Sequence, residues 1–150
     1  GVLHHTGAMW QAIANVAPLV APGGHQFIAL YNDQGTPSRR WLKVKQIYNR
    51  LPASLRFLVV WPAATHLWWR RMVKDLLRGR PFATWRSYGG LRGMDAWRDV
   101  VDWVGGLPFE VAKPEEIFDF FRKRGFVFEK MVTQGGSLGC NEFVFQKTAR

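Results

Sequence analysis

Two adjacent histidines, His4 and His5, stand ahead of the first amphipathic segment, and Tyr31, Asn32 and Asp33 close a short apolar run. These are residue types that a proton-transfer site uses. An imidazole changes protonation near neutral pH and can take a proton from a hydroxyl or an amine. A tyrosine ring can close over a small molecule that amide and carboxylate side chains orient. Each residue also has a plainer use. A loop histidine can simply pack or cap, Tyr31 can end a buried strand with its hydroxyl in water, and Asn32-Asp33 can only make a turn. His4, His5, His25 and Cys140 are the types that bind zinc, but their spacing fits no ligand pattern, so no metal is expected.

The elements that must position these residues follow from spacing. Thr6 and Gly7 precede Trp10, Ile13, Val16, Ala17 and Val20, whose intervals of three and four put them on one face of a helix ending near Val20. Pro18 should kink or stop it early. Pro22-Gly23-Gly24 then ends the element, and Gln26 to Tyr31 reads as a strand buried on both faces. Near the other end, Lys113-Pro114-Glu115-Glu116 opens a helix that Gly125 closes, with Ile117, Phe118, Phe120 and Phe121 as its core face. Phe126 to Thr133 and Glu142 to Lys147 read as an antiparallel pair joined by the glycine-rich Gln134 to Asn141.

Between these ends the composition changes. Asp33 to Gly105 carries fourteen Arg and Lys against five acids, so +9 of the net +10 sits there, with most of the eight tryptophans. Ser38 is placed to cap a helix to about Asn49, with Trp41, Val44, Ile47 and Tyr48 inward and Arg39, Arg40, Lys43, Lys45 and Arg50 largely outward. Phe57 to Trp69 is uncharged, but thirteen helical residues span only about 20 Å, short of a bilayer core. Further helices are expected over Leu67 to Leu77 and Met94 to Val104. Gly89-Gly90-Leu91-Arg92-Gly93 follows no apolar strand and reads as a loop, not a phosphate or cofactor cradle.

The bulk numbers agree with a folded domain: 150 residues, 47% hydrophobic and 21% charged, too apolar for a disordered tail. One cysteine allows no internal disulfide, and no signal-like segment opens the chain, so it reads as cytoplasmic. It begins at Gly1 and runs into apolar residues at once, as a piece of a longer protein would.

Gly1-Val2-Leu3-His4-His5-Thr6 and Val20-Ala21-Pro22-Gly23-Gly24 before Phe27-Ile28-Ala29-Leu30-Tyr31 resemble the loop after strand four and the approach to strand five of class I S-adenosylmethionine-dependent methyltransferases. Glu110 to Glu116 and Gly139-Cys140-Asn141-Glu142-Phe143 are similar to later parts of that family. The resemblance implies an α/β fold: the carboxyl-terminal part of a Rossmann-like sheet, strands 5, 7 and 6. Residues 1–32 and 106–150 would form it, and residues 33–105 would be an inserted basic helical subdomain on the substrate side. Glu142 to Phe145 should lie between the other two strands, and strand Phe27 to Tyr31 should have a bare edge where strand four belongs.

The function that the resemblance implies is methyl transfer to a small acceptor, a hydrophobic one such as a quinol precursor or a lipid-like molecule being among the candidates. His5 and His4 would be catalytic, Tyr31, Asn32 and Asp33 would bind substrate at the strand ends, and Leu3 and His4 would face S-adenosylmethionine. The family's glycine-rich turn and ribose-binding acid have no counterpart in this sequence, so the main cofactor motif, and with it the partner half of the protein, would lie upstream. A different class of function also fits the middle of the chain. Aromatics beside arginines, as in Trp68-Trp69-Arg70-Arg71 and Trp85-Arg86, suit an acidic membrane surface, which would make the protein peripheral at the inner face, or else form a solvated basic face. Nucleic acid ranks last, because the aromatics fall in expected helices and not on a sheet.

Overall fold

A computed structural model describes residues 1–93, 95–135 and 139–149, the side chains of Leu91 and Arg92 excepted. The chain is mixed α/β, with helices α1 (Met9–Val16), α2 (Thr36–Arg50), α3 (Phe57–Leu77), α4 (Ala83–Arg92), α5 (Ala96–Gly105) and α6 (Pro114–Arg122). Its strands are β1 (His25–Tyr31), β2 (Phe126–Val132) and β3 (Cys140–Lys147). Two compact units divide it: Gly1–Arg40 with Pro108–Arg150, and Trp41–Leu107.

In the first unit β3 lies between β1 and β2 and runs antiparallel to both, so Glu142 to Phe145 takes the central place expected of it. Phe143 pairs with Ile28 on one side and Met131 on the other, and is buried. The sheet is covered on one face. Met9 and Ile13 of α1, Ile117 and Phe121 of α6, and Ile28, Leu30, Phe126, Phe143 and Phe145 of the strands form a single core. Phe121 stacks on Phe145 at 4.3 Å between ring centroids. Burying one such ring contributes about 2 to 3 kcal/mol.

The expectation that β1 is buried on both faces fails. Ile28 and Leu30 point into the core, whereas Phe27, on the alternate face, is 59% exposed. Both α1 and α6 pack on the same side, which leaves the other side of this strand without a covering layer among the described residues. The edge of β1 away from β3 also carries no strand among the described residues. A 3-10 turn over Leu3–His5 lies against β1.

Local chemistry fixes the element ends. Pro18 stops α1 at Val16 and tightens the next turn to a 3-10 helix over Ala17–Leu19. The start of α1 is capped from afar, by the Glu110 carboxylate, whose two oxygens each accept from the Met9 N–H at 3.1 Å. Thr6 instead closes its own turn, donating to the Leu3 carbonyl at 2.8 Å. At α6 the Lys113 N–H donates to the Glu116 carboxylate at 2.9 Å, the return half of a capping box. Ser38 does not cap α2. The helix begins two residues earlier at Thr36, and the buried Ser38 hydroxyl accepts from the Gln34 N–H at 2.9 Å.

In the second unit the inward face of α2 is Trp41, Lys45 and Tyr48, while Ile47 faces solvent, so Lys45 and Ile47 exchange the places expected of them. The reason lies on α5: the Lys45 ammonium donates to the Trp103 carbonyl and sits over the Trp103 ring, while its stem fills the interior. The two stretches expected over Phe57 to Trp69 and Leu67 to Leu77 are one helix, α3, of 21 residues and about 31 Å. No described helix is long and apolar enough to cross a membrane; for α3 the charges Arg70, Arg71, Lys74 and Asp75 decide this, not the length. Gly89 to Gly93 is not a loop either: Gly89 and Gly90 lie within α4, and Gly93 caps it at φ 67°. The fourth helical stretch appears as α5, capped by Asp95, which accepts from the N–H groups of Trp97 and Arg98 at 3.0 Å each. Its expected first residue, Met94, lies outside the described residues, as do residues 136–138 of the β2–β3 connection.

Candidate functional site

Four rings gather at the carboxyl end of β1. His4 and Tyr31 have centroids 4.0 Å apart, His5 and Tyr31 5.4 Å, His4 and His5 4.5 Å, and Phe109 adds a third side to Tyr31 at 5.3 Å. Three of them come from the two short sequences singled out for chemistry. Phe109 does not, and it arrives on the segment Pro108 to Ala112 that holds the cluster together. This segment donates from the Glu110 N–H to the His4 carbonyl at 3.1 Å and from the Ala112 N–H to the Tyr31 carbonyl at 3.0 Å. Ala112 then accepts from the Asp33 N–H at 3.1 Å, a short parallel bridge at the end of β1. Gly7 lets the chain turn from the histidines into α1, with φ 76° and room for a Cβ only at 3.3 Å from the Pro108 ring.

The two histidines have different chemistry. His5 is half-buried, and its Nδ1 lies 2.7 Å from the Pro108 carbonyl, which can only accept. That bond puts the proton on Nδ1 and leaves the lone pair on Nε2. His4 is buried, and burial first, then the charges of His5 and the amino terminus, push its pKa down to about 4, against a stabilising bond to the Ala29 backbone. At neutral pH it is therefore uncharged. Its Nδ1 has no hydrogen-bond partner among the described residues, an uncommon condition for a buried polar atom.

The other expected site residues are placed differently. The Asn32 side chain accepts from Asn141 at 3.0 Å, and the buried Asn141 in turn accepts from the Gln134 N–H at 3.1 Å. The amide thus ties the end of β1 to the start of β3. An Asp33 carboxylate oxygen accepts from the Gly35 N–H at 2.7 Å and closes the turn into α2. Leu3 packs against the hydrophobic core. His25 lies at the opposite end of β1, 3.2 Å from Glu129, so the four candidate metal ligands are not brought together. No three His, Cys, Asp or Glu side chains converge as a metal site among the described residues. Cys140 pairs in register with Tyr31 and is half-buried, and burial raises its thiol pKa.

Pro108, Phe109 and Glu110 complete the site and were not among its expected residues. Pro108 and Glu110 meet partners more than a hundred positions away and Phe109 meets Tyr31 across 78, contacts that no local periodicity carries. Compared with family models, with curated proteins and with solved structures, the chain matches none.

Proposed function

We propose that the chain is the carboxyl-terminal part of a class I S-adenosylmethionine-dependent methyltransferase acting on a small acceptor, with His5 as the base. The observation that carries this reading is the strand order β1-β3-β2 with both pairs antiparallel, the order that the family has in strands 5, 7 and 6. The ring cluster adds to it, because it stands at the strand end where α/β sheets bind ligands.

The residues present fit one end of the cofactor and not the other. Tyr31 and Phe109 offer aromatic faces on which a sulfonium could rest, and the unpartnered His4 Nδ1 offers a buried acceptor. Nothing in the cluster suits the ribose hydroxyls: Glu110 caps α1 and Asp33 closes its turn. When bound, the cofactor supplies an electrophilic methyl group. His5 takes the acceptor's proton at Nε2, and the Pro108 carbonyl, bonded to Nδ1, stabilises the imidazolium that results. Tyr31 and Phe109 orient the acceptor and exclude water.

Methyl transfer from labelled cofactor by the protein carrying this chain in its natural context tests the role of His5. His5→Ala should lower kcat by about 10²- to 10⁴-fold and leave cofactor affinity unchanged. Full turnover in His5→Ala would remove the base assignment.

A further inference from the structure

Helix α3 presents apolar side chains to solvent on one side in both its first and its last turns, with Thr65 and His66 exposed between them. Leu58, Trp61, Trp69, Val73 and Leu76 recur at spacings of three, four and eight, which puts them on one side, and all are at least 45% exposed. Trp61 is 60% and Leu77, at the end of the stripe, 82% exposed. The opposite side of α3 already has its partners: Val60, Ala63, Ala64 and Trp68 are buried, and Trp68 packs on Trp85 and Tyr88 at 4.6 and 5.1 Å. Trp61 also meets the Trp97 ring at 5.1 Å between centroids, but it and the rest of the stripe stay largely in water. An isolated exposed leucine is ordinary; several large apolar side chains sharing one side of a helix make an interaction surface.

Basic residues flank it on one side: Arg70 and Lys74 stand about 100° round the helix from Trp69 and Val73, and Arg78 caps the helix, all three exposed. Across Trp41–Leu107 there are twelve Lys and Arg against four Asp, and Asp75 and Asp95 are engaged as acceptors at the starts of α4 and α5. A second copy on the stripe would set these positive charges against their own kind. Nucleic acid would meet the charges but leave Leu58, Val73 and Leu76 in contact with phosphate and water. An acidic lipid surface offers both hydrocarbon and negative charge, and a single convex helix of about 31 Å can lie along it.

We propose that α3 is an interfacial helix, its stripe in the acyl boundary of an acidic membrane and Arg70, Lys74 and Arg78 at the lipid phosphates. This docking does not rest on the methyltransferase reading; it would carry an enzyme to a membrane-dissolved acceptor, and it stands without one.

Co-sedimentation of the 150-residue chain with vesicles of phosphatidylcholine, alone or mixed with phosphatidylglycerol, tests the proposal at low and high salt. Binding should favour the acidic vesicles more than about tenfold and fall as salt rises, since each basic residue near the surface changes partitioning about fivefold. Leu76→Ser/Leu77→Ser should lower it by at least about tenfold, because two large apolar groups leave the hydrocarbon. Both leucines lie mostly in water, so circular dichroism should show the helix content retained. Arg70→Gln/Lys74→Gln gives an independent surface variant that should lose the preference for acidic vesicles. Equal binding to both vesicles, or undiminished binding by both variants, would overturn the proposal. So would a dimer in sedimentation equilibrium that Leu76→Ser/Leu77→Ser dissolves, since the stripe would then face a second copy.

Discussion

At His4 the fold holds an imidazole out of water, its Nδ1 without a partner among the described residues, and acid should expose the cost. Its folded pKa of about 4 lies below the unfolded value near 6.5, so between those values the unfolded chain binds more protons than the folded one. Stability should therefore rise with pH across that window and fall by up to about 3 kcal/mol as pH drops through it. Urea unfolding of wild type and His4→Gln at the two ends of the window checks this: the wild type should lose more stability on acidification, and equal losses would mean that His4 is not held neutral by burial. The family resemblance put His4, His5 and Tyr31 together at strand ends, and their rings do meet. Residue types did not reveal the division of labour between the histidines, because that depends on the Pro108 carbonyl, distant in sequence, and on the burial of His4.

At the scale of elements, α2 and α5 meet around a buried lysine. Burial lowers the Lys45 pKa to about 8, below the ordinary 10.5, so the unfolded chain binds the extra proton between those values and stability should rise as pH increases from about 8 to 10.5. In Lys45→Met that rise should be missing; the difference between the two unfolding curves isolates it from tyrosine titration, and parallel curves would mean that the amine stays hydrated. Periodicity located α1, α2, α6 and all three strands, since each keeps its apolar spacing over at least one turn or pleat. It misplaced the faces of α2, because the aliphatic stem of Lys45 counts as polar in any pattern although it packs as a hydrocarbon. Helix α4 was missed for a related reason. Gly89 and Gly90 argue against a helix locally, but Asp75, nine positions before Thr84, accepts from its N–H and its hydroxyl at 2.7 Å each and fixes the first turn. Asp75 is held below the usual carboxylate range chiefly by those Thr84 bonds.

For the whole molecule, the sheet part and the basic helical part are separate compact units with separate consequences: one holds the ring cluster, the other the exposed stripe. We propose that the cluster is the acceptor side of a methyltransferase whose cofactor-binding strands belong to upstream sequence. Calorimetric titration of S-adenosylmethionine tests it most directly, into the 150-residue chain and into the same chain joined to its natural upstream residues. Two or three missing charge-assisted hydrogen bonds, at about 1.5 to 3 kcal/mol each, weaken binding by several powers of ten. The shorter chain should accordingly show no measurable heat and the longer one saturable binding. Micromolar binding by the 150 residues alone, or none by the longer protein, would contradict the claim.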